Sequence, residues 1–123
     1  MNNEKLWFSF FVILALTLNF GFVYGEIANP DHHNRLELFF TFLVNVICTI
    51  LKFGDRTNMG SLLLATSMVA DFQLLLAIAV WVFHTGPIDN SGIALVVSLG
   101  SGALVANFIS VITVVFDAIT IRR

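Results

Sequence analysis

The chain has 123 residues, of which 58% are apolar and only 11% are charged, and its mean hydropathy is +0.91. Soluble domains carry roughly 25% charged residues, so this composition is typical of a membrane protein. The net charge of −2 and the lack of a basic run exclude the clustered positive surface that nucleic-acid binding needs. Four apolar spans of about 20 residues each would leave no room for a separate enzyme domain. A single cysteine, Cys48, cannot form an intramolecular disulfide.

The first apolar segment covers residues 6–25. It is longer than the roughly 7–15-residue core of a signal peptide, so we expect a retained transmembrane helix. Gly21 and Gly25 have the GxxxG spacing that lets two membrane helices approach closely. The polar Asn19 lies in the same segment.

The start of the second helix is marked by a cap. Asn34 is followed three residues later by Glu37, which fits a capping box and predicts a helix over residues 36–53. The polar turn that follows predicts a third helix over residues 61–84, and the next loop predicts a fourth over residues 93–119. We therefore expect an all-α fold, a single domain in which four transmembrane helices form an up-down bundle.

The distribution of Lys and Arg predicts the orientation of the chain in the membrane. The amino end, the second loop and the carboxyl end hold all of these residues but one, namely Lys5, Lys52, Arg56, Arg122 and Arg123. The first and third loops hold only Arg35. The positive-inside rule therefore places both ends in the cytoplasm.

Two expectations concern the charges at the cytoplasmic boundary. Lys52, Asp55 and Arg56 lie at the second loop and are the predicted cytoplasmic surface for a partner protein. Lys52 and Asp117 are expected to lie close to this boundary as well. A structural ion pair between them is one interpretation of their positions.

Asp71 is the most informative residue in the sequence. Counting about 1.5 Å per residue from Ser61 places Asp71 about 15 Å deep, near the middle of a bilayer core of about 30 Å. A carboxylate there costs about 2.5–3.5 kcal/mol on insertion scales, so it should face protein or water rather than lipid. It is either an ion or proton site or a structural hydrogen-bonding clamp, with Asn45 and Asn107 as the expected partners at the same depth.

Each helix carries polar residues at intervals of three and four, which puts them on one face. On the second helix these are Thr41, Asn45, Cys48 or Thr49, and Lys52; Ser67 precedes Asp71 by one turn; the fourth helix has Asn107, Ser110, Thr113 and Asp117. Such faces line a wet pathway or hold a bundle together, and interhelical hydrogen bonds of about 0.6 kcal/mol each suffice for the second role. We favour the second interpretation.

The fourth helix also carries small residues at a fixed interval. Ser98, Gly102 and Ala106 are four residues apart and form a small-xxx-small ridge for close helix packing. Residues 43–55 can further be aligned with residues 105–117, which would make the protein two parallel helical hairpins. Chance similarity is the simpler explanation, because apolar helices use few residue types.

The three histidines, His32, His33 and His84, fall on the outer side in this topology. His33 and Glu37 have a helical i, i+4 ligand spacing, but Glu37 already has a capping role and a complete zinc ligand set is missing. An ordinary polar loop is the favoured interpretation over metal binding or pH sensing. No cofactor is expected.

Four segments resemble one known family: LALTLNFGF, NPDHHN, LKFGDRT and LLATSMVADF. Together they are similar to a family of small bacterial inner-membrane proteins known only as a domain of unknown function. The resemblance covers roughly residues 4–77 and is looser in the fourth helix. It implies a bacterial inner-membrane location and supplies no activity or site residues.

Two functions fit these observations. One is a subunit of an oligomeric ion or proton pathway that uses Asp71, with Asn45, Asn107 and Ser67 beside it. The other is a non-catalytic accessory or scaffold subunit that packs on a larger membrane protein through the glycine pair and the ridge. An enzyme is not expected, because no nucleophile and base pair or phosphate-binding loop is present. The expected partners are the lipid bilayer and either copies of the chain or a larger membrane complex.

Overall fold

The computed structural model describes residues 3–121, and these form four α-helices. They are α1 (Asn3–Val23), α2 (Arg35–Lys52), α3 (Asn58–Val82) and α4 (Asn90–Ile121), with a short 3₁₀ turn at Pro30–His32. The predicted all-α fold with four helices is confirmed. Arg122 and Arg123, which contribute to the predicted orientation, lie outside the described residues.

Three of the helices, α1, α3 and α4, are long and apolar enough to cross a membrane, which indicates a membrane protein. The remaining helix, α2, has 18 residues and carries Arg35 and Glu37 in its first turn and Lys52 in its last. These charges lower the mean hydropathy of α2 although its central turns are apolar.

Side-chain caps set helix starts that differ from the predicted ones. Helix α3 begins three residues earlier than expected because the Thr57 hydroxyl accepts a hydrogen bond from Gly60 N at 2.9 Å. Helix α4 also begins three residues early, and Asp89 Oδ1 accepts from Gly92 N at 2.7 Å. The predicted N-cap of α2 is confirmed, since Asn34 Oδ1 accepts from Leu36 N at 2.8 Å. Each cap satisfies a backbone N–H that has no partner within its own helix.

The predicted GxxxG packing motif is wrong. Helix α1 ends at Val23, and Gly25 has a φ of +109°, a left-handed conformation that favours glycine. A Cβ at Gly25 would also lie 2.9 Å from His32 Cβ, so this glycine is required by the turn and not by a helix face. Gly21 does allow close packing, because a Cβ there would collide with the Glu37 side chain of α2.

The helices form a ring in which each contacts the next along the chain and α4 returns to α1. Their contacts join the start of one helix to the end of its neighbour. Lys5 on α1 lies 3.3 Å from Asp117 on α4, and the Lys52 ammonium on α2 lies 4.6 Å from the centre of the Phe8 ring on α1. Neighbouring helices therefore run antiparallel.

The ring arrangement explains why the expected Lys52–Asp117 ion pair is wrong. Helices α2 and α4 lie at opposite corners, and each charge finds a nearer partner. Lys52 Nζ is 3.7 Å from Asp55 Oδ2, while Lys5 of α1 pairs with Asp117. Lys52 is only 7% exposed, so its stem is part of the core.

The apolar core is divided into two clusters. The first apolar cluster contains Phe22, Leu38, Ala70, Leu74, Ala77, Ile93, Val96, Val97, Ala103 and Ala106. The second apolar cluster contains Phe8, Val12, Cys48, Leu63 and Val114. Large apolar side chains, among them Phe40, Phe72 and Phe108, are exposed on the outside of the bundle, as expected where lipid is the solvent.

His33 ties the first loop to the end of α1. Its ring is 5% exposed, with Nδ1 2.7 Å from Phe22 O and Nε2 2.7 Å from Glu26 O. Both partners are backbone carbonyl oxygens, so the ring holds the first loop against the end of α1. His33 precedes α2, which begins at Arg35. The helical ligand spacing considered for His33 and Glu37 is therefore wrong.

We expect His33→Phe to destabilise the protein by about 1–3 kcal/mol, because it removes the ring nitrogens that contact the buried Phe22 O and the partly buried Glu26 O. The measurement is the free energy of unfolding in mixed detergent micelles. His84→Phe is the matched control, since His84 lies in a loop and its ring contact with Gly86 O is long at 3.5 Å. Equal stability of the two variants would contradict the role given to His33.

Candidate functional site: a polar layer in the bundle core

Buried polar residues separate the two apolar clusters on every helix. On α3, Ser67 lies between Leu63 of the second cluster and Ala70 of the first. On α4, Asn107 and Ser110 lie between Ala106 and Val114. We call the buried residues at this height the polar layer: Asn19, Thr41, Asn45, Ser67, Asn107 and Ser110, all with 0% exposure.

Asn19 connects α1 to α4 within the polar layer. With its amide oriented to match its surroundings, Nδ2 donates to Gly100 O at 2.9 Å and Oδ1 accepts from Leu104 N at 3.0 Å. The same Oδ1 accepts from Asn107 Nδ2 at 3.0 Å. The Asn19 side chain thus bonds both to the backbone of α4 and to the side-chain amide of Asn107 on the same helix.

On α2, the amide of Asn45 is held by its own helix. Asn45 Nδ2 donates to Thr41 O at 3.1 Å, and Thr41 donates in turn to Glu37 O at 2.7 Å. Between α3 and α4, the hydroxyls of Thr66 and Ser110 are hydrogen-bonded to each other. These bonds fix the rotamers of layer residues on α2 and α4, whereas the layer residue of α3, Ser67, makes no such bond.

Asp71 lies beside the polar layer and not at its centre. It is one turn from Ser67 on α3 and lines an open groove between α2 and α3 on the outside of the bundle. The other residues lining this groove, which we call the Asp71 groove, are Phe42, Val46, Thr49, Met68, Phe72 and Leu75. The carboxylate is therefore near the bundle surface, in an apolar setting.

The expected hydrogen-bond partners of Asp71 were wrong. Its Oδ2 is hydrogen-bonded to the Thr49 hydroxyl, whereas the amide nitrogens of Asn45 and Asn107 are used by Thr41 and Asn19. Thr49 appeared in the sequence only as an alternative to Cys48 on the same face. Which of the two points towards Asp71 depends on the rotation of α2 against α3, which no sequence pattern specifies.

Four buried side-chain oxygens of the described residues have no hydrogen-bond partner. They are Asn45 Oδ1, Ser67 Oγ, Asp71 Oδ1 and Asn107 Oδ1. They belong to the same four residues that the sequence marked as candidates for an ion or proton site. Buried polar atoms are nearly always paired, so each of these four oxygens is a separate position at which a further hydrogen-bond donor could bind.

The small-residue ridge of α4 packs within the chain. A Cβ at Gly102 would collide with the side-chain amide of Gln73 on α3, and Ala106 belongs to the first apolar cluster. Ser98 is exposed. The ridge therefore packs against α3, while Gly102 and Ala106 also line an open groove between α3 and α4.

Side-chain hydrogen bonds hold the second loop in a defined conformation. Asp55 accepts hydrogen bonds from Thr57 N at 3.0 Å and from the Thr57 hydroxyl at 2.7 Å. These bonds, with a weaker contribution from Lys52, hold the pKa of Asp55 below its usual value of 3.8. Of the three loop residues proposed for recognition, Arg56 is exposed, whereas Lys52 is buried.

Comparison with known families gives one match. A family of unknown function, DUF6394, matches residues 32–118. The chain belongs to this family. The match leaves out all of α1 and includes most of α4, whereas the resemblance seen in the sequence was strongest over residues 4–77. Asp71 and the polar-layer residues of α2, α3 and α4 lie inside the matched segment, and Asn19 lies outside it.

No curated protein and no solved structure shows significant similarity to the chain. The family match brings no activity with it, so the function must be argued from the geometry of the polar layer and the Asp71 groove.

We expect Asn19→Leu to lower the free energy of unfolding by about 1–3 kcal/mol, because Leu has nearly the same shape but leaves Asn107 Nδ2 without an acceptor. The measurement is denaturant unfolding in detergent micelles. Thr17→Leu is the matched control, since Thr17 is on the same helix but bonds only to Leu14 O of that helix. If Thr17→Leu lowers the free energy of unfolding as much as Asn19→Leu does, the role assigned to Asn19 is contradicted.

The lowered pKa of Asp55 predicts a pH dependence of stability. The ionised carboxylate stabilises the folded chain above the ordinary pKa of 3.8, and this stabilisation is lost as the pH falls through the lowered folded value. Melting temperatures between about pH 2 and pH 6 should therefore show an advantage of wild type over Asp55→Ala that shrinks in acid. Thr57→Val, which removes the strongest donor, should reduce the advantage. A difference that is constant over this range would contradict the assignment.

Proposed function

We propose that the protein is a subunit of an oligomeric ion or proton pathway in which Asp71 is the proton-binding group. In this proposal all four helices cross the bacterial inner membrane, with both ends in the cytoplasm, and the chain has no enzymatic activity. The five-to-one bias of Lys and Arg in the sequence supports this orientation. The short length of α2 is compatible with a span, because about 17–25 residues cross the hydrocarbon core.

The observation that carries the proposal is the set of contacts around the Thr49 hydroxyl. Thr49 Oγ1 is within hydrogen-bonding distance of Asp71 Oδ2 and also of Asn45 O, the latter at 3.1 Å. A hydroxyl has only one hydrogen to donate. If Asp71 is protonated, it donates to Thr49, and Thr49 donates to Asn45 O. The contacts are therefore compatible with a carboxyl group that holds a proton within the membrane.

The position of Asp71 supports an oligomer. The Asp71 groove is open on the outside of the bundle and apolar apart from Asp71 and Thr49. A carboxyl group facing bare hydrocarbon costs several kcal/mol, so it should be covered by protein. A helix from a second copy of the chain would cover the groove and place Asp71 between subunits. A bundle of four helices is too small to enclose a wide pore alone, whereas a ring of several copies of the chain is large enough.

The test is a flux assay in liposomes under separate H⁺, Na⁺ and K⁺ gradients. We expect wild type to carry flux and Asp71→Asn to show only the background of empty liposomes, because Asn cannot release a proton. Asp89→Asn is the matched control, since Asp89 is exposed in the loop before α4. Flux that is equal in Asp71→Asn and wild type would remove Asp71 from the pathway.

A second candidate is an accessory subunit that packs on a larger membrane protein. It is favoured by an apolar groove of about 510 Å³ between α1 and α4, which is lined by Leu16, Thr17, Phe20, Leu104, Val105 and Phe108. Val105 is 60% exposed, so Val105→Trp should fill this groove without disturbing the core. In this case Val105→Trp would abolish co-purification with the partner, whereas Asp71→Asn would have little effect.

A further inference from the structure

The open groove between α3 and α4 contains a polar side chain of its own. It is lined by Val69 and Gln73 of α3 and by Gly102, Ala106 and Ile109 of α4, among others, and we call it the Gln73 groove. Its volume of about 480 Å³ is close to the roughly 420 Å³ of the Asp71 groove. Each groove is therefore an apolar depression on the outside of the bundle that holds a polar group which a lipid tail cannot hydrogen-bond.

The amide of Gln73 lies against Gly102 without a hydrogen bond. Its Oε1, Cδ and Nε2 are the atoms that a Cβ at Gly102 would meet, so the missing side chain of Gly102 leaves room for the amide on α4. Among residues 3–121 no group is hydrogen-bonded to this amide. A side-chain amide offers two N–H donors and a carbonyl oxygen. Within the membrane such a group is stabilised by a partner on a neighbouring helix.

Asp71 and Gln73 belong to the same helix but line different grooves. Two residues at i and i+2 of an α-helix differ by about 200° in direction and by about 3 Å in height. Asp71 therefore lines the groove towards α2, and Gln73 lines the groove towards α4. The two side chains do not face each other within one chain, although Asp71 Oδ1 has no partner and the Gln73 amide has donors to offer.

Two copies of the chain can bring these groups together. In a ring whose axis is normal to the membrane, all copies have the same height and orientation. Asp71 of one copy and Gln73 of the next copy then differ in height by only about 3 Å. The carboxyl group accepts and the amide donates, so the two grooves are complementary. A two-fold contact between two Gln73 grooves would instead leave Asp71 facing lipid, which is costly.

Building on the proposed function, in which copies of the chain form the pathway, we propose that the Gln73 groove of one copy docks on the Asp71 groove of the next. In this contact the Gln73 amide donates a hydrogen bond to the Asp71 carboxyl group. Thr49 of the same chain already bonds to Oδ2, so a neighbouring copy completes the proton-binding site. Because the two grooves lie on the two sides of α3, a ring assembled in this way has α3 nearest to its axis.

The experiment measures energy transfer between chains labelled with donor and acceptor dyes, in liposomes of phosphatidylethanolamine and phosphatidylglycerol at increasing ratios of lipid to protein. We expect Gln73→Leu to raise the dissociation constant about three- to twentyfold, which corresponds to the roughly 0.6–1.7 kcal/mol of one hydrogen bond between membrane helices. Thr17→Leu is the matched control, since Thr17 is an exposed polar residue of α1 that lines neither groove. The control should associate like wild type.

Cysteine cross-linking checks which grooves meet. Met68 lines the Asp71 groove and Val69 lines the Gln73 groove, and the two residues differ by about 1.5 Å in height. In a Cys48→Ala background, a mixture of Met68→Cys chains and Val69→Cys chains should form more disulfide-linked dimer on oxidation than either variant alone. Dimers that form equally well from Val69→Cys alone would indicate a two-fold contact and would overturn the proposal.

Equal dissociation constants for Gln73→Leu and Thr17→Leu, or a wild type that stays monomeric at every ratio, would overturn the contact and leave a different membrane protein or lipid in the grooves. Neither result would affect the flux test, which compares Asp71→Asn with wild type directly. Asp71→Asn keeps an oxygen that accepts from Gln73, so it should associate like wild type. Weakened association of Gln73→Leu without flux in wild type would contradict the pathway and leave the contact standing.

Discussion

The polar layer imposes the main constraint on this bundle, because polar atoms in a low-dielectric core must be paired or filled by a ligand. Asn19 meets part of that constraint by bonding to Gly100 O, Leu104 N and Asn107 Nδ2. Those bonds fix the height of α1 against α4. The two apolar clusters then pack above and below the layer, and neither cluster by itself would define how far one helix slides along another.

The same constraint separates the polar groups that are paired within the bundle from those that are not. The hydroxyls of Thr66 and Ser110 satisfy each other, and Thr41 bonds to its own helix, so these residues act as bundle glue. The free oxygens of Asn45, Ser67 and Asn107 have no such partner. The sequence alone favoured a structural role for all polar faces, and the structure shows hydrogen bonds within the bundle for part of them.

Charged residues at one end of the bundle form ion pairs, whereas the acidic residue in its middle does not. Lys52 is buried against Phe8 and pairs with Asp55, and Lys5 pairs with Asp117. These pairs lie at the same end as the second loop and anchor the helix termini. At the opposite end the ring nitrogens of His33 contact two backbone carbonyls and tie the first loop to α1. Asp71 is the acidic residue left in the middle of the spans, away from both sets of charges.

The sequence by itself determined the four helices and the cap at Asn34, because apolar periodicity and capping patterns are properties of one helix at a time. Only the tertiary structure decided which polar groups meet: Asn19 with α4, Thr49 with Asp71, and Lys5 rather than Lys52 with Asp117. These pairings depend on the rotation and height of each helix against its neighbours. Both are set by packing between helices, and a pattern within one helix does not contain them.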